Sequence, residues 1–119
     1  EEKDQEFALA PFGMIGLETS LGVVCTHIYH EKIVSLVSLI GLLSTNPARI
    51  LGLAAGTLKA GAPADITIFD PESEWVVDPA KFQSRSRNCP FSGWKLKGKV
   101  VTVLVDGRIV FREGEILGE

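Results

Sequence analysis

Apolar residues follow a helical period in the first half of the chain and alternate in the second half. In residues 17–30 they recur in steps of three and four, at Leu17, Leu21, Val24 and Ile28. This spacing puts them on one face of an amphipathic helix. Thr19 or Ser20 stands where a side chain can cap the start of that helix. The pattern therefore predicts a helix over residues 17–30.

Residues 31–44 predict a second helix of a different kind, because apolar residues occupy almost every side of it. Its polar or small positions are three apart, at Ser35, Ser38, Gly41 and Ser44. A helix that is apolar nearly all round is buried on most sides. We therefore expect it to need more neighbours than a chain of 119 residues supplies. Since the sequence also starts abruptly, without Met, we expect a fragment of a longer protein.

The stretch Ser44-Thr45-Asn46-Pro47 predicts the start of a short third helix, because Thr45 or Asn46 can cap it and Pro is favoured in a first helical turn. Gly52 is placed to end it. After residue 56 the period changes to two, which predicts strands at 65–70, 75–77, 99–105, 108–112 and 115–117. Asp106-Gly107 is a strong hairpin turn signal, and residues 78–98 predict a long loop. Helices followed by an antiparallel sheet indicate an α+β fold or the joint between two domains.

Charge and hydropathy exclude two classes of partner. The net charge is −3 and no basic stripe is present, which argues against nucleic acid. The longest apolar stretch, around Ile33 to Leu43, is too short to span a bilayer of about 30 Å. No secretory signal is recognisable, and Cys25 and Cys89 are expected to be free thiols in a reducing compartment. We expect a cytoplasmic protein.

Two stretches predict shaped loops, residues 7–19 and residues 86–98. Pro11 fixes one backbone angle, and Gly13 permits conformations that are closed to other residues. The second stretch repeats the Pro-Phe pair at Pro90-Phe91. Binding and catalytic sites are often built on such loops. The chain nevertheless contains few residues suited to metal or acid–base chemistry.

Cys25, His27 and His30 form the one cluster that suggests a metal. On a helix, Cys25 and His27 point apart, and a structural zinc needs four ligands. We therefore interpret them as ordinary helix residues. Structural roles are also expected for other polar and aromatic residues: Glu18 within the first helical turn, Asp65 and Asp70 in turns, Arg85, Arg87 and Asn88 in the long loop, and Trp75 and Trp94 as anchors.

Several motifs together resemble the class I dihydroorotases, within the amidohydrolase superfamily. They are Ala10-Pro11-Phe12-Gly13, Gly16-Leu17-Glu18-Thr19, Asn46-Pro47-Ala48, Gly56-Thr57-Leu58-Lys59-Ala60-Gly61 with Ala64-Asp65, and Ser86-Arg87-Asn88 with Pro90-Phe91 and Gly93-Trp94. The likeness extends over nearly the whole chain. The two Pro-Phe loops are its most specific part, because the glycine pattern at 56–65 recurs between subfamilies.

The resemblance implies a zinc-dependent cyclic-amide hydrolase that interconverts N-carbamoyl-L-aspartate and L-dihydroorotate in pyrimidine synthesis. Such enzymes have a (β/α)8 barrel with zinc at the carboxyl ends of the strands and a small β domain made from both ends of the chain. The metal ligands and the catalytic Asp would precede Glu1. The resemblance thus implies no catalytic or metal residue in this C-terminal segment, which alone is expected to be inactive.

The fold class implied is an α+β fragment. Residues 1–55 would be the end of the barrel, with its outer helices and a substrate loop, and residues 56–119 would be antiparallel strands of a composite β-sandwich. Phe12 and Gly13 align with positions whose main chain contacts the pyrimidine ring. Expected partners are the remainder of the dihydroorotase chain, the pyrimidine substrate, and a second copy or aspartate transcarbamoylase.

Two alternatives within the superfamily remain open. One is a non-catalytic dihydroorotase-like chain that supports aspartate transcarbamoylase assembly. The other is a related hydantoinase or allantoinase, which shares the layout but usually differs in the two loops. A free-standing interaction module is a third alternative, and the nearly all-apolar second helix argues against it.

Overall fold

The computed structural model describes Glu6 and residues 13–118, and in them helices precede an antiparallel sheet, as the pattern predicts. The helical segments are α1 (Ser20–Val24), α2 (Leu36–Ile40) and α3 (Asn46–Ile50). The strands are β1 (Ile66–Val76), β2 (Lys95–Val105), β3 (Arg108–Arg112) and β4 (Glu115–Ile116), with a 3₁₀ turn at Pro79–Lys81.

Two π-helical turns join the short helices into two rods. Cys25–Tyr29 continues α1 into the first rod, residues 20–29, and Gly41–Thr45 joins α2 to α3 in the second rod, residues 36–50. α3 begins at Asn46 with Pro47 in its first turn, as predicted, but Thr45 is itself helical (φ −64°, ψ −44°) and makes no side-chain cap, so α3 continues the preceding π turn. The π turn interrupts the regular α-helical hydrogen bonds just before Pro47. Proline has no backbone N–H, so it could not have continued those bonds.

The second rod also starts later than predicted. Ser35 is extended and its hydroxyl accepts a hydrogen bond from the Ser38 N–H, which makes it the N-cap of α2. The predicted end at Gly52 is confirmed: Gly52 has φ 66°, and the Leu53 N–H donates to the carbonyl of Ala48 at 2.9 Å. This is the usual way that a glycine closes a helix.

The sheet has the order β1-β2-β3-β4 and every neighbouring pair is antiparallel. The sequence predicts two strands where the structure has the single strand β1, which continues through Pro71 with a register shift between Asp70 and Glu74. A bulge is where a strand tolerates proline, because the ladder is already interrupted there. The hairpin at Asp106-Gly107 is confirmed, with positive φ at both residues (51° and 78°).

The core lies where the first rod packs on β2. Cys25 is 0% exposed and Leu96 is 1% exposed. Gly98 lets the two elements approach, since a Cβ built there would lie 2.7 Å from Cys25 Sγ. Both cysteines are free, as predicted. A cluster of Val77, Cys89 and Leu96 extends this core under residues 78–94.

The second rod buries little of its apolar surface against the described residues. Leu39 and Ala48 are buried, whereas Val37 and Ile50 are 80% and 77% exposed. Within residues 13–118, no helix combines the length and the apolar character that a membrane crossing requires.

Candidate functional site

The two predicted shaped loops lie side by side. The second one ends at residue 94 and not at 98 as predicted, because β2 already starts at Lys95. Residues 13–18, the Gly13 loop, precede the first rod, and residues 78–94, the Asn88 loop, connect β1 to β2. Asn88 Nδ2 donates to the Gly13 carbonyl at 3.3 Å, and the Ile15 N–H donates to the Asn88 carbonyl at 3.4 Å. The two stretches that carry the family resemblance therefore form one surface.

A second link joins the other ends of these loops. The Glu18 carboxylate accepts from the Gln83 N–H at 2.9 Å through Oε2 and from the Ser84 N–H at 3.1 Å through Oε1. The role of Glu18 is structural, as predicted, but its partners lie in the Asn88 loop and not in its own helical turn. Residue 13 pairs with 88 and residue 18 with 83 and 84, so the two loops run antiparallel between the links.

Gly13 occupies the exposed end of this arrangement. Its φ is 67°, a left-handed conformation that favours glycine. A Cβ built at Gly13 would meet no described atom within 4 Å. Phe12, the other predicted site residue, lies outside the described residues.

A cleft of about 630 Å³ lies between the loops, lined by Met14, Leu17, Glu18, Phe82 and Ser84 among others. Leu17 is 96% exposed and Met14 is 61% exposed. Large apolar side chains that share an exposed surface are typical of contacts with a ligand or with further protein. The cleft is therefore suited to an apolar or amphipathic neighbour.

The Asn88 loop is ordered by its own contacts. Asp78 accepts from the Ala80 N–H at 3.1 Å and caps the 3₁₀ turn. The Arg87 guanidinium donates to the carbonyls of Ser84 and Ser86. Arg87 and Asn88 thus have structural contacts, as the sequence predicts. At the base of the loop, the Val77 N–H donates to the Trp94 carbonyl at 2.9 Å.

The candidate metal cluster does not assemble. Cys25 is buried against β2, and burial raises the pKa of its thiol. His27 is exposed and its ring meets the Trp94 ring edge to face at 5.6 Å, while His30 donates Nε2–H to the Pro71 carbonyl at 2.8 Å. Among the described residues, no three His, Cys, Asp or Glu side chains come together in a way that could hold a metal ion.

Sequence reasoning located both loops but missed the carboxylate that links them. Glu18 is separated from its partners by 65 and 66 positions. Helix and strand periods report only near neighbours, so they carry no signal for such a contact. The sequence indicates that the two loops act together only through their shared resemblance to one family.

Comparison with known proteins assigns the chain to a family. Residues 15–110 match the Amidohydrolase family. The chain is 48% identical over 114 residues to a dihydroorotase from Geobacter sp. (strain M21) and 50% identical over 112 residues to a dihydroorotase from Syntrophotalea carbinolica. These matches cover 96% and 94% of this chain but 27% and 26% of the relatives, so the chain spans about a quarter of their length.

Solved structures of the same superfamily share the fold. The L-hydantoinase from Arthrobacter aurescens superimposes with a TM-score of 0.88 at 34% identity, covering 96% of this chain and 26% of that chain. A D-hydantoinase superimposes with a TM-score of 0.85 at 32% identity, covering 96% and 25%. The antiparallel sheet with few helices is therefore an amidohydrolase-type arrangement, and the chain belongs to the amidohydrolase family.

Proposed function

We propose that this chain is part of a dihydroorotase, a hydrolase that interconverts N-carbamoyl-L-aspartate and L-dihydroorotate in pyrimidine synthesis. The observation that carries the proposal is the 48–50% identity to proteins named dihydroorotase over nearly the whole chain. The hydantoinase structures share the fold at 34% and 32% identity. The higher identity favours the dihydroorotase over a hydantoinase or allantoinase.

In this proposal the chain is the C-terminal segment of the enzyme. Residues 1–55 complete a (β/α)8 barrel, and residues 56–119 form part of a composite β-sandwich. The remainder of the enzyme packs on the second rod. The exposure of Val37 and Ile50 on that rod supports this, because large apolar side chains gain from burial.

Phe12 and Gly13 are the proposed substrate contacts, through their main chain. The left-handed Gly13, which has no Cβ and no described atom within 4 Å of where a Cβ would lie, allows a planar ring to approach the backbone. A dihydropyrimidine ring carries amide N–H and carbonyl groups, which pair with main-chain carbonyl and N–H groups. The part of this segment in the reaction is thus to bind and orient the ring.

Zinc is the metal we propose for the whole enzyme, and the described residues do not fit it. They provide no cluster of three donor side chains, and a catalytic zinc takes three protein ligands. We place the metal ligands and the proton-transfer residue in the rest of the enzyme. We also propose the cytoplasm as its location and, as assembly partners, a second copy or aspartate transcarbamoylase.

The test is hydrolysis by the full-length protein that carries this chain, purified with zinc. We expect it to convert L-dihydroorotate to N-carbamoyl-L-aspartate with a kcat/KM at least about 100-fold above that for hydantoin or allantoin, because a site built to bond a substrate's polar groups rejects analogues that lack them. Preference for a hydantoin or allantoin would overturn the proposal in favour of the related hydrolases. Inactivity together with stable binding to aspartate transcarbamoylase would favour the non-catalytic alternative.

The 119-residue chain is the matched control for this test. We expect it neither to bind zinc stoichiometrically nor to open dihydroorotate. Metal analysis and the same hydrolysis assay measure both properties. One tightly held zinc per chain would contradict the assignment of the ligands to the rest of the enzyme.

A further inference from the structure

We propose that Glu18 and Asn88 are positioning residues, which hold the Gly13 loop in the conformation that meets the substrate by fixing it to the Asn88 loop. The inference rests on the proposed function for its effect on substrate. It goes beyond that function because neither side chain is placed in contact with the ring. Both act through the backbone of the Gly13 loop.

The two side chains fix the Gly13 loop at both of its ends. Asn88 holds the Gly13 carbonyl through Nδ2 at 3.3 Å and the Ile15 N–H through its own carbonyl at 3.4 Å. Glu18 holds the opposite end through two bonds of 2.9 and 3.1 Å to consecutive backbone amides. A segment tied at both ends loses most of its freedom to reorient, which lowers the cost of ordering it when a ligand binds.

The chemistry of the Glu18 link requires a carboxylate. Each carboxylate oxygen accepts one N–H, and hydrogen bonds to a charged acceptor are stronger than neutral ones. A glutamine in its place offers one acceptor oxygen and one NH2 group. That NH2 group would face the N–H of Gln83 or Ser84, two donors in conflict. Glu18→Gln therefore breaks one of the two hydrogen bonds and removes the charge from the other, while it keeps the size of the side chain.

The Asn88 loop is suited to act as the fixed partner. Val77, directly before the loop, is 2% exposed, and Cys89, directly after Asn88, is 9% exposed. Both residues lie in the core and anchor the part of the loop between them. Hydrogen bonds from the Val77 N–H to the Trp94 carbonyl and from the Gly93 N–H to the Val77 carbonyl, both 2.9 Å, close its base. The Gly13 loop has a comparable anchor at its C-terminal end, where Thr19 is 1% exposed.

Loss of either link is expected to raise KM with little change in kcat. If only a minor fraction of the molecules holds the loop in its binding-competent conformation, the apparent dissociation constant of the substrate rises by a factor of one over that fraction. Bound substrate then restores the loop, and the reacting groups lie elsewhere in the enzyme. The Glu18 bonds are to a charged acceptor, and one such bond is worth enough for about a tenfold change in KM. The Asn88 bond is between neutral groups, but a substitution that sets an acceptor against the Gly13 carbonyl adds repulsion to its loss.

The experiment measures kcat and KM for L-dihydroorotate in the full-length protein with Glu18→Gln, Asn88→Asp and the matched control Glu74→Gln. We expect KM to rise about tenfold in the first two variants, with kcat within about twofold. Asn88→Asp keeps the side-chain size but replaces the Nδ2 donor with an acceptor beside the Gly13 carbonyl. Glu74 is an exposed carboxylate 3.7 Å from Lys97 Nζ, and Glu74→Gln is expected to keep the wild-type KM.

Amide hydrogen exchange on the substrate-free protein separates this inference from the proposed function. Glu18→Gln is expected to accelerate exchange at Gln83 and Ser84 directly and at Ile15 indirectly, through the loosened loops. An unchanged Ile15 amide would overturn the inference, as would an unchanged KM in an active enzyme. If the wild-type protein opens no dihydroorotate, the proposed function fails, and accelerated Ile15 exchange still supports the positioning role.

Discussion

The two helical rods differ in how much of their apolar surface is buried. In the first rod, Cys25 is 0% exposed and packs on β2, whereas in the second rod Leu39 is 1% exposed but Val37 is 80% exposed. The second rod is apolar on almost every side, so a single neighbouring surface does not cover it. β2 offers Gly98 and Leu96 at the contact with the first rod, while the described residues offer the second rod no comparable surface.

This contrast separates two parts of the molecule. The first rod, the sheet and the two loops form a packed unit that places Gly13 and Glu18. The second rod has an apolar face that the described residues leave uncovered, which is consistent with a chain that spans about a quarter of its relatives' length. Mutations that probe the two rods should therefore have unequal costs, and the inequality is measurable.

Gly98→Ala should have the largest effect on stability, because Gly98 lies where the first rod approaches β2 at Cys25. Gly98 has φ 94°, and an added Cβ would lie 2.7 Å from both Cys25 Cβ and Sγ. Left-handed backbone costs about 1–2 kcal/mol for alanine, and overpacking a core adds about 1–3 kcal/mol. We expect the free energy of unfolding to fall by about 4 kcal/mol, measured by urea denaturation of the full-length protein.

Gly114→Ala is the matched control for that measurement. Gly114 has φ 97° but no described atom within 4 Å of a built Cβ. It should show only the backbone cost of about 1–2 kcal/mol. Equal losses in the two variants would mean that the close approach of the first rod to β2 contributes nothing beyond backbone strain.

Leu39→Ala and Val37→Ala compare the two sides of the second rod. Leu39 is 1% exposed, so we expect its truncation to cost about 3 kcal/mol. In the full-length protein we propose that the remainder of the enzyme covers the opposite face, so Val37→Ala should cost more than about 1 kcal/mol although Val37 is 80% exposed among the described residues. A loss below about 0.5 kcal/mol would mean that this face stays exposed. Urea denaturation of the full-length protein measures both losses.

The order of elements and the location of the loops could be predicted from the sequence, because both depend on local patterns. Period, glycine and turn signals placed the rods before the sheet and the hairpin at Asp106-Gly107. Two of the errors in element boundaries fall at prolines. Pro47 predicted a new helix and Pro71 a strand end, yet a π turn and a bulge absorb them within continuous elements. Such irregularities depend on tertiary packing, which a local period does not encode.

The candidate site was predictable only in part for the same reason. Gly13 was identified through its glycine chemistry and the family resemblance, and its left-handed φ of 67° fits that interpretation. The tie from Glu18 to Gln83 spans 65 positions and joins the residues before the first rod to the connection between β1 and β2. No pattern within either loop predicts the partner.

Thr26→Val tests a polar tie between the first rod and β2. Thr26 Oγ1 accepts from the Lys97 N–H at 2.8 Å and donates to the Gly22 carbonyl at 2.7 Å. Valine keeps the shape but leaves the half-buried Lys97 N–H without this acceptor, so we expect a loss of about 1.5 kcal/mol. The exposed Thr67 provides the control, since Thr67→Val on β1 should change stability by less than about 0.5 kcal/mol. Similar losses of stability in both variants would mean that the Thr26 hydrogen bond does not stabilise the contact between the first rod and β2.

Cys25 should give the smallest effect, as a change in the pH dependence of stability. Burial raises the pKa of its thiol above the ordinary value of 9.0. Below pH 9 the thiol is protonated in both states, so its contribution to stability is fully present. As the pH rises further, the unfolded chain loses this proton first, which lowers the free energy of unfolding until the folded thiol also ionises.

Cys25→Ala isolates this contribution from the other groups that titrate at alkaline pH. The variant should lose stability at pH 7, because truncation leaves a small cavity beside Gly98, and the deficit relative to wild type should shrink as the pH rises above 9. Urea midpoints of both proteins from pH 7 to 10.5 measure that deficit. If the difference in stability between the variant and the wild type did not change with pH, the Cys25 thiol would be accessible to water in the folded state. The contact between the first rod and β2 would then be less well packed than its burial indicates.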